Sequence, residues 1–193
     1  MVRTKGYPEA LEKKLNDQRY HNEDTNPEFT KIVKGISRTI AHMCYQCGTC
    51  TGSCPSAPRS TYRIRKFMRR AVLGLENESL TDPDLWLCTT CYSCTDRCPR
   101  DIAPTDVIMA MRNLAFKRDI IPVNFLKTVQ AIYSSGHGVP NNDVNRAARE
   151  KLGLTRDPPT THMYPEYVKG IQTILNHYNL KANADRIVKE REG

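Results

Sequence analysis

Two runs of cysteine share one spacing: Cys44-x2-Cys47-x2-Cys50-x3-Cys54 and Cys88-x2-Cys91-x2-Cys94-x3-Cys98, followed directly by Pro55 and Pro99. They use all 8 cysteines of the 193-residue chain. Three thiols at three-residue intervals on a tight loop point at three corners of one cubane, and the fourth cysteine of such a run serves the other cluster. Proline then turns the chain away, because it donates no backbone hydrogen bond and fixes its own φ. The chemistry this pattern supports is one-electron transfer by two [4Fe–4S] clusters. The crossing rule gives the first cluster Cys44, Cys47, Cys50 and Cys98, and the second Cys88, Cys91, Cys94 and Cys54. Each cluster would then staple the two motifs together, so that cluster binding counts as folding free energy.

Two other uses of cysteine fit less well. Disulfide scaffolds are small, secreted and cysteine-dense, whereas this longer chain shows no apolar stretch of signal-peptide length near its start. Structural zinc takes separated CxxC pairs, and a third cysteine at the same interval followed by x3-Cys-Pro departs from that habit. No nucleophile–base pair and no dinucleotide fingerprint accompanies the cysteines, so no catalytic residue is assigned. The histidines are scattered; His42, two residues before Cys44, is either a tuner of that cluster or an ordinary surface residue. Gly48 and Gly52 would let backbone N–H groups approach cluster sulfur, or would serve a simple turn.

A net charge of +8 invites a nucleic-acid reading, but two oxidised clusters at about −2 each would halve it, and no recognition motif goes with the charge. No run approaches the 18 apolar residues of a membrane span, and mean hydropathy is −0.59. Free thiols and oxygen-sensitive clusters place the expected compartment in a reducing cytoplasm. Neither nucleic acid nor membrane is an expected partner.

The elements that must position the cysteines read as helices. Residues 1–26 are polar and form an N-terminal arm. Asn26-Pro27 starts a helix with Phe29, Ile32, Val33, Ile36 and Ile40 on one face, running into the first motif. Between the motifs Ile64, Phe67, Met68, Ala71, Val72 and Leu75 keep helical spacing, with Arg63, Arg65, Lys66, Arg69 and Arg70 on the remaining surface. That basic side is a docking face, a tuner of cluster potential or a plain solvated face. Thr81-Asp82-Pro83-Asp84 caps a short helix carrying Leu85, Trp86 and Leu87 into Cys88. Pro104 starts a further helix with Val107, Ile108, Met111, Leu114 and Ala115 inward. No segment alternates as a strand would. The expected fold is all-α: an α-helical ferredoxin-like core at 27–120 binding two [4Fe–4S] clusters, not the βαββαβ ferredoxin, with helical N- and C-terminal extensions. The C-terminal extension, 121–193, carries helices opened by Pro122, lying near Asp143–Leu152, and marked by Tyr167, Val168, Ile171, Ile174, Leu175 and Tyr178. Docking onto other subunits is its expected use, with independent packing against the core as the plain alternative.

The blocks from Cys44 to Pro55 and from Trp86 to Arg100, with "TYRIRKFMRRAVLGLE" between them and "PTDVIMAMRNLAFKR" after, resemble the C subunits of soluble heterodisulfide reductases from methanogenic archaea. The resemblance is strongest over residues 40–120. It implies a cytoplasmic electron-relay component of an oxidoreductase, without a catalytic site of its own. Its implied partners are the flavin-containing, electron-bifurcating A subunit and the catalytic B subunit of heterodisulfide reductase, with an associated hydrogenase or formate dehydrogenase further out. The B subunit would reduce the CoM–S–S–CoB heterodisulfide of methanogenesis. The same motifs occur in succinate dehydrogenase and glycolate oxidase iron–sulfur subunits, so a relay in another dehydrogenase or disulfide reductase complex is the alternative.

Overall fold

A computed structural model describes residues 22–192, all helix, turn and loop, with no strand among them. The expected arm at 1–26 lies outside the described residues except for its end, where Asn22–Asp24 forms a 3-10 turn. The chain divides after Ile120 into two compact units.

The first unit is built on α1 (Pro27–Ser37), α3 (Ile64–Leu73) and α6 (Pro104–Lys117), which pack on one another. Its motifs carry the one-turn helices α2 (Thr49–Gly52) and α5 (Ser93–Asp96), and α4 (Glu76–Leu80) follows α3. The start of α1 is set locally: Pro27 needs no N–H partner there, and the Asn26 side chain accepts hydrogen bonds from the Glu28 and Phe29 amides. Phe29 and Val33 join Phe67, Met68, Ile108 and Met111 in one core. The helix does not run on to the cysteines. It stops at Arg38, which is left-handed at φ 52°, so Ile40 leaves the helical face; Ile40 and, in the last turn of the helix, Ile36 are exposed. A separate 3-10 turn, Ala41–Met43, delivers the chain to Cys44. The other expected helix starts hold: Asp82 accepts from the Asp84 amide at 2.9 Å to cap the 3-10 turn Pro83–Leu87, and α6 begins at Pro104 with all five expected inner residues buried.

The basic side of α3 is not one surface. Arg70 is buried and ion-paired to buried Asp82 at 2.5 Å. Lys66 reaches Asp82 and Asp84 at 2.8 and 3.1 Å. The Arg63 guanidinium donates to the carbonyls of Ala57, Ser60 and Tyr62, clamping the loop before the helix. Arg65 and Arg69 are exposed and make up what is left of a basic face. Periodicity alone puts Arg70 outside because it cannot see a carboxylate that the following turn brings back over the helix.

The second unit holds α7 (Val123–Ser135), α8 (Asp143–Lys151), α9 (Pro165–His177) and α10 (Leu180–Glu192). Helices α7, α9 and α10 pack pairwise, around Leu126, Ala184 and Ile187. Gly136 at φ 69° ends α7. No residue of α9 is fully buried: Val168, Ile171 and Leu175 are half-buried, while Tyr167, Ile174 and Tyr178 are exposed.

Candidate iron–sulfur centres

The two cysteine loops have the same backbone. In the first, Gln46 and Gly48 are left-handed at φ 63° and 87°; in the second, the matching Thr90 and Tyr92 are at 52° and 62°. Each loop then closes into one helical turn by matching bonds, Thr51 N–H to Gly48 O at 3.0 Å and Thr95 N–H to Tyr92 O at 2.8 Å. The fourth cysteines follow in register, with the Cys54 amide donating to Thr51 O and the Cys98 amide to Thr95 O, both at 3.2 Å. Left-handed backbone at non-glycine residues costs on the order of 1–3 kcal/mol each and clusters at functional sites. Alternation of left- and right-handed residues also turns successive N–H groups inward, a concavity that suits anionic cluster sulfur. Gly48 uses its freedom here, whereas Gly52 has an ordinary φ and open space around it.

α2 and α5 pack together, which brings the motifs side by side. A cleft of about 330 Å³, open solvent included, is lined by Cys44, Cys47, Cys50 and Cys98, with Arg65 at its wall. Three of these thiols come from the first motif and one from the second. Cys54 of the first motif lies, with Cys88 and Cys94 of the second, within electrostatic range of the Tyr62 hydroxyl. Cys91 stands on the exposed part of its loop, as Cys47 does on its own.

All eight thiols are free. Burial pushes Cys50 up to about 11, and the neighbouring Cys44 and Cys94 thiols add to the rise. Burial also raises Cys94, against the Thr105 hydroxyl 3.2 Å away. At the exposed corners the order reverses: the Thr49 hydroxyl lowers Cys47 and the Ser93 hydroxyl lowers Cys91. Burial of Cys50 and Cys94 disfavours a free nucleophilic thiolate at those positions, whereas a bound metal deprotonates a coordinating thiol outright. The cleft's four thiols are the soft, all-sulfur kind of lining that suits an iron–sulfur cluster.

Several residues that shape these sets go unseen in the sequence. Gln46 donates from Nε2 to Cys44 Sγ at 3.4 Å, and Thr105 meets Cys94 from the start of α6. Arg112 donates to the carbonyls of Leu85 and Cys88 at 3.0 and 2.7 Å. None of them keeps a spacing that marks it. His42 is exposed in the turn before Cys44.

The helical fold and the paired cysteine motifs together define an α-helical iron–sulfur protein. Residues 40–102 match the family described as the 4Fe-4S dicluster domain. Over 148 residues, 77% of this chain and 80% of its relative, the sequence is 43% identical to the C subunit of the H(2):CoB-CoM heterodisulfide,ferredoxin reductase of Methanothermobacter marburgensis. It is 40% identical, over 79% of this chain and 84% of the other, to the iron-sulfur C subunit of the CoB–CoM heterodisulfide reductase of Methanopyrus kandleri. Identity to the C subunit of the Ferredoxin:CoB-CoM heterodisulfide reductase of Methanosarcina mazei is 36%, over 77% of this chain and 91% of that one. The chain belongs to the family of heterodisulfide reductase C subunits. No helix among the described residues is long and apolar enough to cross a membrane.

Proposed function

We propose that this chain is the electron-relay subunit of a cytoplasmic heterodisulfide reductase and holds two [4Fe–4S] clusters with crossed ligands. The observation that carries the reading is the cleft lined by Cys44, Cys47, Cys50 and Cys98, a mixed set from two motifs that the packing of α2 on α5 brings together. The names of its relatives supply the reaction. Cys88, Cys91, Cys94 and Cys54 form the second set, supported by the gathering of three of them around Tyr62.

Each cluster, when bound, takes up and gives back one electron at a time. The chain's own part is to hold the thiols in place and shield most of them in the helical core, while Cys47 and Cys91 stay at the surface. Exposed apolar residues flank both loops, Met43 and Tyr45 at the first and Leu87 and Tyr92 at the second, and fit a face covered by partner subunits. Exposed Arg65 and Arg69 add positive charge for steering an acidic partner. On this reading electrons pass from the flavin-containing A subunit through this chain to the B subunit, where the CoM–S–S–CoB disulfide takes two electrons and two protons to give two thiols. A hydrogenase or formate dehydrogenase stands upstream. The second unit, with Tyr167, Ile174 and Tyr178 exposed on and just beyond α9, serves as the docking extension. No residue of this chain is assigned a catalytic role.

Anaerobic purification from the native source, with identification of what travels with the chain, tests this. A flavoprotein and a cysteine-rich protein that together reduce the heterodisulfide are expected. Co-purification with a different dehydrogenase would overturn the reaction.

A further inference from the structure

The two cysteine loops share their left-handed positions, and a difference between their sites can also come from residues outside the repeat. At the second site it does. Tyr62 is wholly buried, 0% exposed, with its ring 5.8 Å from that of Phe67. Its hydroxyl has no hydrogen-bond partner of ordinary geometry, and Cys88 is foremost among the thiols that act on it electrostatically. A phenylalanine would fill this space without burying an unsatisfied hydroxyl, and burying one is costly. The hydroxyl is therefore explained by an acceptor that this thiol becomes when it binds a metal. On the other side of Cys88, the Arg112 Nη2 donates to the Cys88 carbonyl at 2.7 Å and Nε to Leu85 O at 3.0 Å. Its guanidinium lies 5.5 Å over the Trp86 ring, which fixes a half-buried positive charge beside the same cysteine. The first site has a different arrangement: Gln46, within its own loop, donates to Cys44, and Arg65 on its wall is exposed.

We propose that Tyr62 and Arg112 set the reduction potential of the second iron–sulfur site, Tyr62 by donating its O–H to the Cys88 thiolate and Arg112 by holding its charge against the Cys88 backbone. This rests on the reading that Cys54, Cys88, Cys91 and Cys94 hold a cluster. Reduction adds one electron to the site, and Tyr62 keeps its proton throughout. The site becomes one unit more negative, so a donated hydrogen bond and a fixed positive charge both favour the reduced state and raise the potential. Tyr62 and Arg112 are positioning residues; neither is a ligand.

The test is an anaerobic, mediated redox titration of the holo-protein in its native complex, followed by EPR. The second site's signal is identified as the one that Cys91→Ser perturbs. Tyr62→Phe is expected to lower that site's midpoint potential and leave the first site's unchanged. Loss of one such hydrogen bond should raise the oxidised-to-reduced ratio at fixed poise by up to about tenfold, about 59 mV for one electron. Arg112→Gln should shift the same signal in the same direction, and Arg112→Lys should recover part of the shift by restoring charge. An unchanged or raised potential in Tyr62→Phe, or equal shifts at both sites, overturns the proposal. Tyr62→Phe decides alone if Arg112→Gln does not fold. If the underlying reading is wrong, the wild-type protein itself carries acid-labile sulfide for one cluster at most and shows no second signal, a result that no potential shift can mimic.

Discussion

Asn26 and Gly74 are joined backbone to backbone: the Asn26 N–H donates to the Gly74 carbonyl at 2.7 Å, and a Cβ built at Gly74 would lie 2.6 Å from the Asn26 carbonyl oxygen. Gly74 is left-handed at φ 73°, where an L side chain costs on the order of 1–2 kcal/mol before any clash. The contact is rigid on both sides, because Asn26 caps α1 and also donates from Nδ2 to Glu76 Oε2 at 2.7 Å. Glu76 in turn is ion-paired to Arg118 at 2.5 Å. Gly74→Ala must therefore move backbone. It is expected to cost about 2 kcal/mol or more, read as a lowered urea midpoint of the first unit, whereas Gly52→Ala, with open space and ordinary φ, should change it little.

Buried Asp82 accepts from Arg70 and Lys66 and also caps the turn that leads into Cys88. Removing one partner of a buried pair leaves an uncompensated charge, at a cost of about 3–5 kcal/mol. Asp82→Ala should accordingly destabilise the first unit by several times more than Arg69→Ala, which changes only an exposed arginine and should stay within about 0.5 kcal/mol. Thermal unfolding followed by circular dichroism distinguishes the two. Equal effects would show that Asp82 is not a structural hub.

In the second unit the Asp185 carboxylate is held below its ordinary pKa by the Lys181 ammonium and then by the Gln130 amide, which donates at 2.7 Å. A depressed folded pKa means that the pair contributes above the ordinary carboxylate range, and that this contribution is lost as pH falls through the depressed value. Because Asp185 is largely solvent-accessible, the contribution is small, less than about 1 kcal/mol. Urea unfolding at pH 7 and near pH 3 should show wild type losing more stability on acidification than Asp185→Asn. A steeper loss in the variant would contradict the assignment.

The helix starts at Pro27 and Pro104, the apolar faces of α3 and α6 and the absence of strands were legible because they depend on local stereochemistry and on a 3.6-residue period. The two cysteine motifs were legible for a similar reason, since spacing along the chain is a local property. What was not legible depends on distant partners. Arg70 looked like surface because Asp82 reaches it only through the fold of α4 and the following turn. That Ile40 falls off the helical face was not legible, because nothing in the sequence announces the left-handed residue at Arg38. Helix α10 was missed because its buried residues, Ala184 and Ile187, are few among charges. Tyr62 and Arg112 carry no sequence signal, because what relates them is their approach to Cys88 in the fold.

The crossed ligand sets are the centre of this account, and four serine variants test them against one another. Cys47→Ser and Cys91→Ser each mark one site, because each loop's second cysteine belongs to that loop's own set. EPR of the reduced holo-protein is then compared for Cys54→Ser and Cys98→Ser. Crossing predicts that Cys54→Ser perturbs the signal that Cys91→Ser perturbs, and that Cys98→Ser perturbs the signal of Cys47→Ser. The opposite pairing, Cys54→Ser with Cys47→Ser, would show that each motif closes its own cluster and would contradict the account.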